Sequence, residues 1–83
     1  MARRPMPKKL ARKLALIRLR LGLSQTQLVD ALNYKASPLY ASQISNFEQG
    51  KREPPLMVLL AYARLAGVST DVLIDDKLKL PNS

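Results

Sequence analysis

Apolar residues recur at helical spacing in the first part of the chain. The stripe has the spacing i, i+4, i+7 and i+11 and consists of Leu10, Leu14, Ile17 and Leu21. This period predicts a first helix from Lys8 to the region of Gly22, a residue suited to the left-handed conformation that ends a helix. On a helical wheel with this period, most of the nearby basic residues fall on the side opposite the apolar stripe, namely Lys9, Arg12, Lys13 and Arg20.

The second helix has a clear start, whereas the third has two possible ones. Ser24 is followed by Gln27 at the spacing of a capping box, and Asn33 is suited to end the helix that buries Leu28, Val29 and Leu32. Ser37 before Pro38 could cap a third helix there; otherwise a loop precedes a start near Tyr40. In both cases residues 41–49 are predicted to be helical, anchored by Ile44 and Phe47 and ended by Gly50.

Two further helices complete the pattern. One is predicted over residues 56–66, between Pro55 and Gly67, and a short one over residues 70–74 behind the cap Ser69. The predicted fold class is therefore all-α, a compact five-helix bundle. It is divided into a flexible basic arm (1–7), a helical domain (8–76) and a C-terminal tail (77–83). The predicted core of the bundle is Leu14, Ile17, Leu28, Leu32, Ile44, Phe47, Leu56, Leu59, Leu60, Ala63 and Val68.

The fourth helix carries more apolar residues than one core requires. Its surplus forms a second stripe of Met57, Val58, Ala61 and Leu65, and the tail adds Leu78 and Leu80. A helix that is apolar nearly all round is either fully buried or covers a partner. The pattern predicts either a two-fold contact in a homodimer or a face that the tail covers within one monomer.

The net charge is concentrated at the N-terminus. The chain has 83 residues and a formal net charge of +8. Eight of its 14 basic residues lie in the first twenty positions, with no acid among them, and the other six are balanced by the six acids. A basic N-terminus on an otherwise neutral helical body is typical of proteins that bind a polyanion.

Composition excludes several classes of function. The chain has no cysteine and no histidine, and its six carboxylates show no metal-binding or acid–base spacing. We therefore expect no enzymatic activity, no metal and no cofactor. No apolar run approaches the length of a membrane span, and no continuous apolar leader follows the basic start. A cytoplasmic protein that does not bind membranes is expected.

The third helix is rich in amides and hydroxyls. Apart from its apolar anchors, it carries Ser42, Gln43, Ser45, Asn46 and Gln49. Such side chains hydrogen-bond to base edges, and asparagine or glutamine can pair with adenine through two bonds. This composition favours a recognition helix lying in the major groove of double-stranded DNA.

Ordered positions along the chain carry a family resemblance. They are Gly22-Leu23-Ser24-Gln25, Leu28, Leu32, Ile44-Ser45, Glu48, Gly50-Lys51-Arg52-Glu53-Pro54, Leu59-Leu60, Ala63 and Gly67-Val68-Ser69, continuing to Leu73. From about residue 10 to residue 74 the chain resembles the phage repressor/Cro (Xre-type) helix-turn-helix family. The resemblance implies a lambda-repressor-like DNA-binding fold and a sequence-specific transcriptional regulator. We expect a repressor rather than an activator, because a domain of this size has little room to recruit polymerase. Such a protein binds as a dimer to a pseudo-palindromic site.

The resemblance also implies roles for individual residues. Base edges would be contacted by Ala41, Ser42, Gln43, Ser45 and Asn46, foremost by Asn46 and Ser42. Phosphates would be contacted by Arg3, Arg4, Lys8, Lys9, Gln25, Tyr40, Lys51 and Arg52. Arg18 and Glu48 would form a structural ion pair between the first and third helices.

One departure and one alternative remain open. Ser24 and Ile44 lie twenty positions apart, five more than is usual in that family, so the extra residues around Tyr34–Pro38 lengthen the turn or extend the third helix.

The alternative function is an antitoxin-like protein-interaction module, with a toxin or another regulator as partner and DNA binding as a secondary property. A third interpretation is binding of RNA or an anionic membrane through charge alone, which the resemblance disfavours.

Overall fold

Residues 7–81 are described by a computed structural model, and over this range the chain forms five α-helices and no strand. The helices are α1 (Leu10–Arg20), α2 (Gln25–Leu32), α3 (Ala41–Glu48), α4 (Leu56–Ala66) and α5 (Thr70–Ile74). The predicted all-α class with five helices is confirmed. Arg3 and Arg4 of the predicted arm lie outside the described residues.

The predicted helix ends are set by local contacts. Ser24 Oγ accepts a hydrogen bond from the Gln27 N–H at 3.0 Å, and Gln27 Oε1 accepts one from the Ser24 N–H at 2.8 Å. Both bonds satisfy amides that the first turn of α2 leaves without helical partners. Asn33 (φ 52°) and Gly67 (φ 70°) end α2 and α4 in the left-handed conformation. Ser69 precedes α5 as predicted, but its side chain makes no capping bond.

The open question about α3 is resolved in favour of the later start. The helix begins at Ala41, directly after Tyr40, and residues 33–40 form an extended turn. Tyr34 and Leu39 of this turn are partly buried against the core, whereas residues 35–38 are exposed. Residues 34–38 therefore belong to the turn between α2 and α3, and α3 has eight residues.

One core joins all five helices. Its buried apolar residues are Leu10, Leu14, Ile17, Leu28, Leu32, Ile44, Phe47, Val58, Leu59, Tyr62, Ala63 and Leu73. α3 lies against α1 and α2, while α4 packs on α2, α1 and α5. The four buried residues of α4 have the spacing i, i+1, i+4 and i+5, which is one face of a helix.

Several predicted core assignments are wrong. Leu21 is 43% exposed and Leu56 is 74% exposed. Leu21 follows the last residue of α1 and Leu56 is the first residue of α4, so both lie at helix ends, beyond the packed face. Leu60 is only partly buried, whereas Val29 and Val68 are partly buried but do pack against the core.

Lys13 was assigned to the solvent side of the first helix but is only 5% exposed. Its ammonium donates to the carbonyl oxygens of Val72, at 2.6 Å, and Asp75, at 2.9 Å. These carbonyls lie at the C-terminal end of α5; the Asp75 carbonyl also accepts the Leu78 N–H at 3.0 Å, whereas the Val72 carbonyl has the Lys13 ammonium as its donor. A buried lysine is stable here because its charge is matched by two acceptors while its methylenes pack on the core.

The two ends of the described chain meet beside α1. The Asp76 carboxylate accepts hydrogen bonds from the backbone N–H groups of Lys8 (2.9 Å) and Lys9 (3.0 Å). These two bonds, aided by nearby lysine charges, lower the pKa of Asp76. The contact holds residues 8 and 9 in a turn, and α1 begins at Leu10 rather than at residue 8.

Candidate nucleic-acid interface

α3 presents a polar face because Ile44 and Phe47 bury its other side. Ser42 and Asn46 are four residues apart and therefore project from the same side of the helix. Ser42 is exposed and Asn46 is partly exposed. Within residues 7–81 neither side chain has a hydrogen-bond partner, so both keep their full capacity for an external ligand.

Two other predicted base-reading side chains are already engaged. The Gln43 amide oxygen accepts a hydrogen bond from the Tyr40 N–H at 2.8 Å and caps the start of α3. The Ser45 hydroxyl accepts one from Gln49 Nε2 at 2.8 Å. Gln43 can therefore offer only its amide donor to a base, and two-bond pairing with adenine would require the cap to open.

Gln49 is a neighbour of this face that the site prediction omitted. It is exposed and lies four residues after Ser45, at the C-terminal end of α3. The i, i+4 spacing of two polar residues could have indicated the contact. Ala41, by contrast, is partly buried and has only a methyl group to present.

An ion pair fixes α3 on the rest of the domain. Arg18 Nε and Nη2 donate to the two oxygens of Glu48 at 2.7 and 3.0 Å, and Arg18 Nη1 donates to the Leu23 carbonyl at 3.0 Å. The side chains are only 18% and 8% exposed. The hydrogen bond to Glu48 raises the pKa of Arg18 above its usual value. The predicted pair is thus present, and it joins the C-terminal halves of α1 and α3.

Gln25 lies at the same junction. Its Nε2 is 3.4 Å from Glu48 Oε1, a long hydrogen bond, and its side chain is partly buried at the start of α2. The residue predicted to contact a phosphate is therefore held beside the ion pair that positions α3.

Tyr62 of α4 lies in the core near Arg18 and Glu48 and is missing from the predicted core. Its side chain is fully buried, and within residues 7–81 its hydroxyl has no hydrogen-bond partner. Burial raises the pKa of Tyr62, and the Glu48 charge acts in the same direction while Arg18 opposes it. The phenol therefore stays neutral.

The predicted phosphate-binding residues separate into two groups. Tyr40, before α3, and Lys51 and Arg52, after it, are exposed at the two ends of the helix. Lys8 is exposed before α1, whereas Lys9 lines a groove between α1 and the tail. Only the first group flanks α3.

The predicted partner surface of α4 is also divided. Met57, Ala61 and Leu65 line a groove of about 520 Å³ together with residues 31–36. Val58 is fully buried in the core and cannot belong to such a surface, which corrects that assignment. Leu78 and Leu80 line a different groove, beside α1, and no described residue of the tail lines the groove of Met57, Ala61 and Leu65.

The part of the chain from residue 7 to residue 81 contains no group of three or more His, Cys, Asp or Glu residues that could hold a metal ion. None of its helices is long and apolar enough to span a membrane.

Comparison with known proteins identifies the family. The chain matches the helix-turn-helix domain over residues 9–76, which include all five helices. No curated protein matches it significantly. In a helix-turn-helix, the second helix of the motif enters the major groove of DNA. The protein belongs to the helix-turn-helix domain family, whose partner is DNA and whose members are typically non-catalytic.

Proposed function

We propose that the protein is a sequence-specific transcriptional regulator, a repressor, that reads double-stranded DNA by placing α3 in the major groove. The observation that carries this proposal is the pair Ser42 and Asn46. Their side chains share one face of a helix that the Arg18–Glu48 pair holds in place, and no described residue engages them. Preorganised, unengaged polar groups are what base readout requires.

Asn46 is the principal reader in this proposal. Its amide can donate to and accept from adenine at the same time, which Ser42 cannot do. Ser42 lies one turn earlier and contacts the neighbouring base. Ser45 contributes its hydroxyl donor, Ala41 a methyl contact and Gln43 a single amide donor.

Phosphate contacts on both sides of α3 set the orientation. Lys51 and Arg52 lie in the turn that follows the helix, and Tyr40 precedes it. Gln25 contributes from the start of α2, where backbone N–H groups favour an anion. Arg3, Arg4 and Lys8 add contacts that are independent of sequence.

A homodimer completes the proposed mode of binding. Leu56 and Met57 are 74% and 56% exposed beside the α4 groove that Ala61 and Leu65 line, and a second copy would cover them. Two copies would present two α3 helices to half-sites about one helical turn apart. Sedimentation velocity tests this: Met57→Glu is expected to yield monomers, whereas Leu19→Glu, equally exposed on α1, leaves the dimer intact. A monomeric parent protein at high micromolar concentration would contradict the dimer.

Selection from a random duplex library tests the readout. We expect an enriched inverted repeat that binds far more tightly than random DNA. Asn46→Ala should lose roughly 1–3 kcal/mol on the selected site and relax the choice of one base. Lys51→Ala should instead weaken binding to all sequences and reduce the salt slope by about one. Equal weakening of selected and random DNA by Asn46→Ala would contradict its role as a reader.

The second candidate is the antitoxin-like module, favoured by the α4 groove that Met57 lines and by the exposed Leu56 beside it. In that case a toxin or another regulator, rather than a second copy, would occupy the groove. Copurification of the protein with one defined second chain, lost in Met57→Glu, would favour it. Enrichment of an inverted repeat by the isolated chain would favour the regulator.

A further inference from the structure

The structure assembles a second basic surface that does not flank α3. It consists of Lys9, Arg12, Leu16 and Arg20 on α1 and the segment before it, with Leu78 and Lys79 of the tail. These residues line one groove of about 430 Å³. We name it the α1–tail surface.

This surface faces away from the candidate DNA interface. Successive residues of a helix are about 100° apart around its axis. Leu16 and Arg20 are each two positions from Arg18 and therefore lie about 160° from it; Lys9 lies about 180° and Arg12 about 120° away. Because Arg18 points to Glu48 of α3, the α1–tail surface lies on the far side of α1.

The charges of this surface are not neutralised within the described chain. Lys9, Arg12 and Lys79 form no ion pair with a carboxylate of residues 7–81. Arg20 Nη1 donates to the Pro81 carbonyl at 2.7 Å, a contact that leaves its charge uncompensated. An acid, Asp76, lies close by: its two oxygens accept the Lys8 and Lys9 N–H groups, and its charge interacts with that of Lys9. The surface therefore keeps a strong excess of positive charge.

Exposed leucines lie among these cations. Leu78 is 40% exposed, Leu16 is partly exposed, and the neighbouring Leu19 is 61% exposed. A ligand that fits must therefore supply both anionic and apolar groups. An amphipathic helix has this combination, with apolar residues at i, i+3 and i+4 and acids on either side.

We propose that the α1–tail surface binds an acidic amphipathic helix of a partner protein. A second copy of the chain fits poorly, because a two-fold contact places the same cations against one another. Duplex DNA would pair with the cations but would leave the leucines exposed to water. The site lies beyond the proposed DNA-reading function and allows an acidic protein to bind while α3 contacts DNA.

Three synthetic peptides test the proposal by fluorescence anisotropy with the intact chain. The probe is a fluorescein-labelled helical peptide with leucines on one face and glutamates beside them. One control replaces every glutamate by lysine, and the other scrambles the same composition so that no apolar face forms. We expect the glutamate peptide to bind at least about tenfold more tightly than the scrambled one, and the lysine peptide not to bind.

Two double variants with the same charge change locate the site. Arg12→Glu with Lys79→Glu should weaken the glutamate peptide at least about tenfold, because like charges then oppose each other. Lys51→Glu with Arg52→Glu, on the α3 side, should leave that peptide bound and weaken duplex DNA instead. All four positions are exposed, so neither variant disturbs the core.

Three results would overturn the proposal. The first is a glutamate peptide that binds no better than its scrambled control. The second is equal weakening of that peptide by both double variants, which would show attraction by net charge alone. The third is loss of duplex DNA binding in Arg12→Glu/Lys79→Glu as large as in the Lys51/Arg52 variant, which would assign the surface to DNA. Each of these results can be distinguished from failure of the proposed function, because that failure would be seen in the selection from a random duplex library.

Discussion

Replacing Glu48 by alanine should destabilise the fold through the loss of its contact with Arg18. The substitution removes two charge-assisted hydrogen bonds, of 2.7 and 3.0 Å, between α3 and α1. The Arg18 charge then remains partly buried, with the Leu23 carbonyl as its remaining strong acceptor. The Gln25 amide also loses its acceptor.

The magnitude follows from the burial of the pair. An ion pair on the surface contributes about 0–1 kcal/mol, whereas breaking a fully buried one costs about 3–5 kcal/mol. At 18% and 8% exposure this pair lies nearer the buried limit. We expect Glu48→Ala to lower the free energy of unfolding by about 2–3 kcal/mol, working from these limits. Arg18→Met should cost more, because it strands the less exposed Glu48 and also frees the Leu23 carbonyl.

Urea denaturation followed by circular dichroism provides the assay. The two single variants and the double variant form a cycle whose coupling energy should be about 2 kcal/mol, and the coupling should largely survive in high salt. Asp30→Ala is the matched control, since Asp30 is an exposed carboxylate of α2. It should change stability by less than about 0.5 kcal/mol.

A coupling energy below about 0.5 kcal/mol would refute this reasoning. It would mean that the pair behaves as a surface contact despite its low exposure. The same result together with weaker DNA binding would indicate that Glu48 acts at the DNA interface rather than in stabilising the fold.

Three further predictions concern stability. Lys13→Met should lower the free energy of unfolding by about 1–3 kcal/mol, because it leaves the Val72 carbonyl without its donor and the Asp75 carbonyl with the Leu78 N–H alone. Hydrogen exchange of α5 should accelerate, and unchanged exchange would contradict the link. The pKa of Asp76 is lower in the folded state, so the ionised carboxylate stabilises the fold above its ordinary pKa of 3.8, and this stabilisation is lost as the pH falls through the folded-state pKa. Asp76→Asn should therefore flatten the acid side of a curve of stability against pH. An unchanged acid side would exclude Asp76 as the cause of the loss. Gly67→Ala should cost about 1 kcal/mol from strain alone, since φ is 70° and nothing lies within 4 Å of the added methyl; a much larger loss by thermal melting would indicate a clash instead.

Much of the fold could be predicted because its signals are local. The Ser24–Gln27 capping box, the left-handed Asn33 and the glycines that follow α1, α3 and α4 involve residues close in sequence. Local hydrogen bonds and backbone sterics act in the same way in any tertiary setting. The bounds of α2, α4 and α5 therefore agree with the pattern.

Part of the candidate site could also be predicted from the sequence. The polar composition of α3 indicated a base-reading helix, and the family resemblance put Ser42 and Asn46 first among its residues; the structure leaves both unengaged. The Arg18–Glu48 pair was also implied by the resemblance. The engagement of Gln43 by the Tyr40 N–H depended on where α3 starts, which the sequence left open.

The sequence by itself determined the helices, their order, the position of the polar helix and the excess of positive charge near the N-terminus. Only the tertiary structure decided which side of the apolar α4 is buried, because a helix that is apolar nearly all round has no period to indicate a direction. It also decided where the cations point: Lys13 inward to carbonyls about sixty residues away, Arg18 to α3, and Arg12 and Arg20 to the opposite side. Charge is a property of the residue, whereas its partner is set by long-range packing.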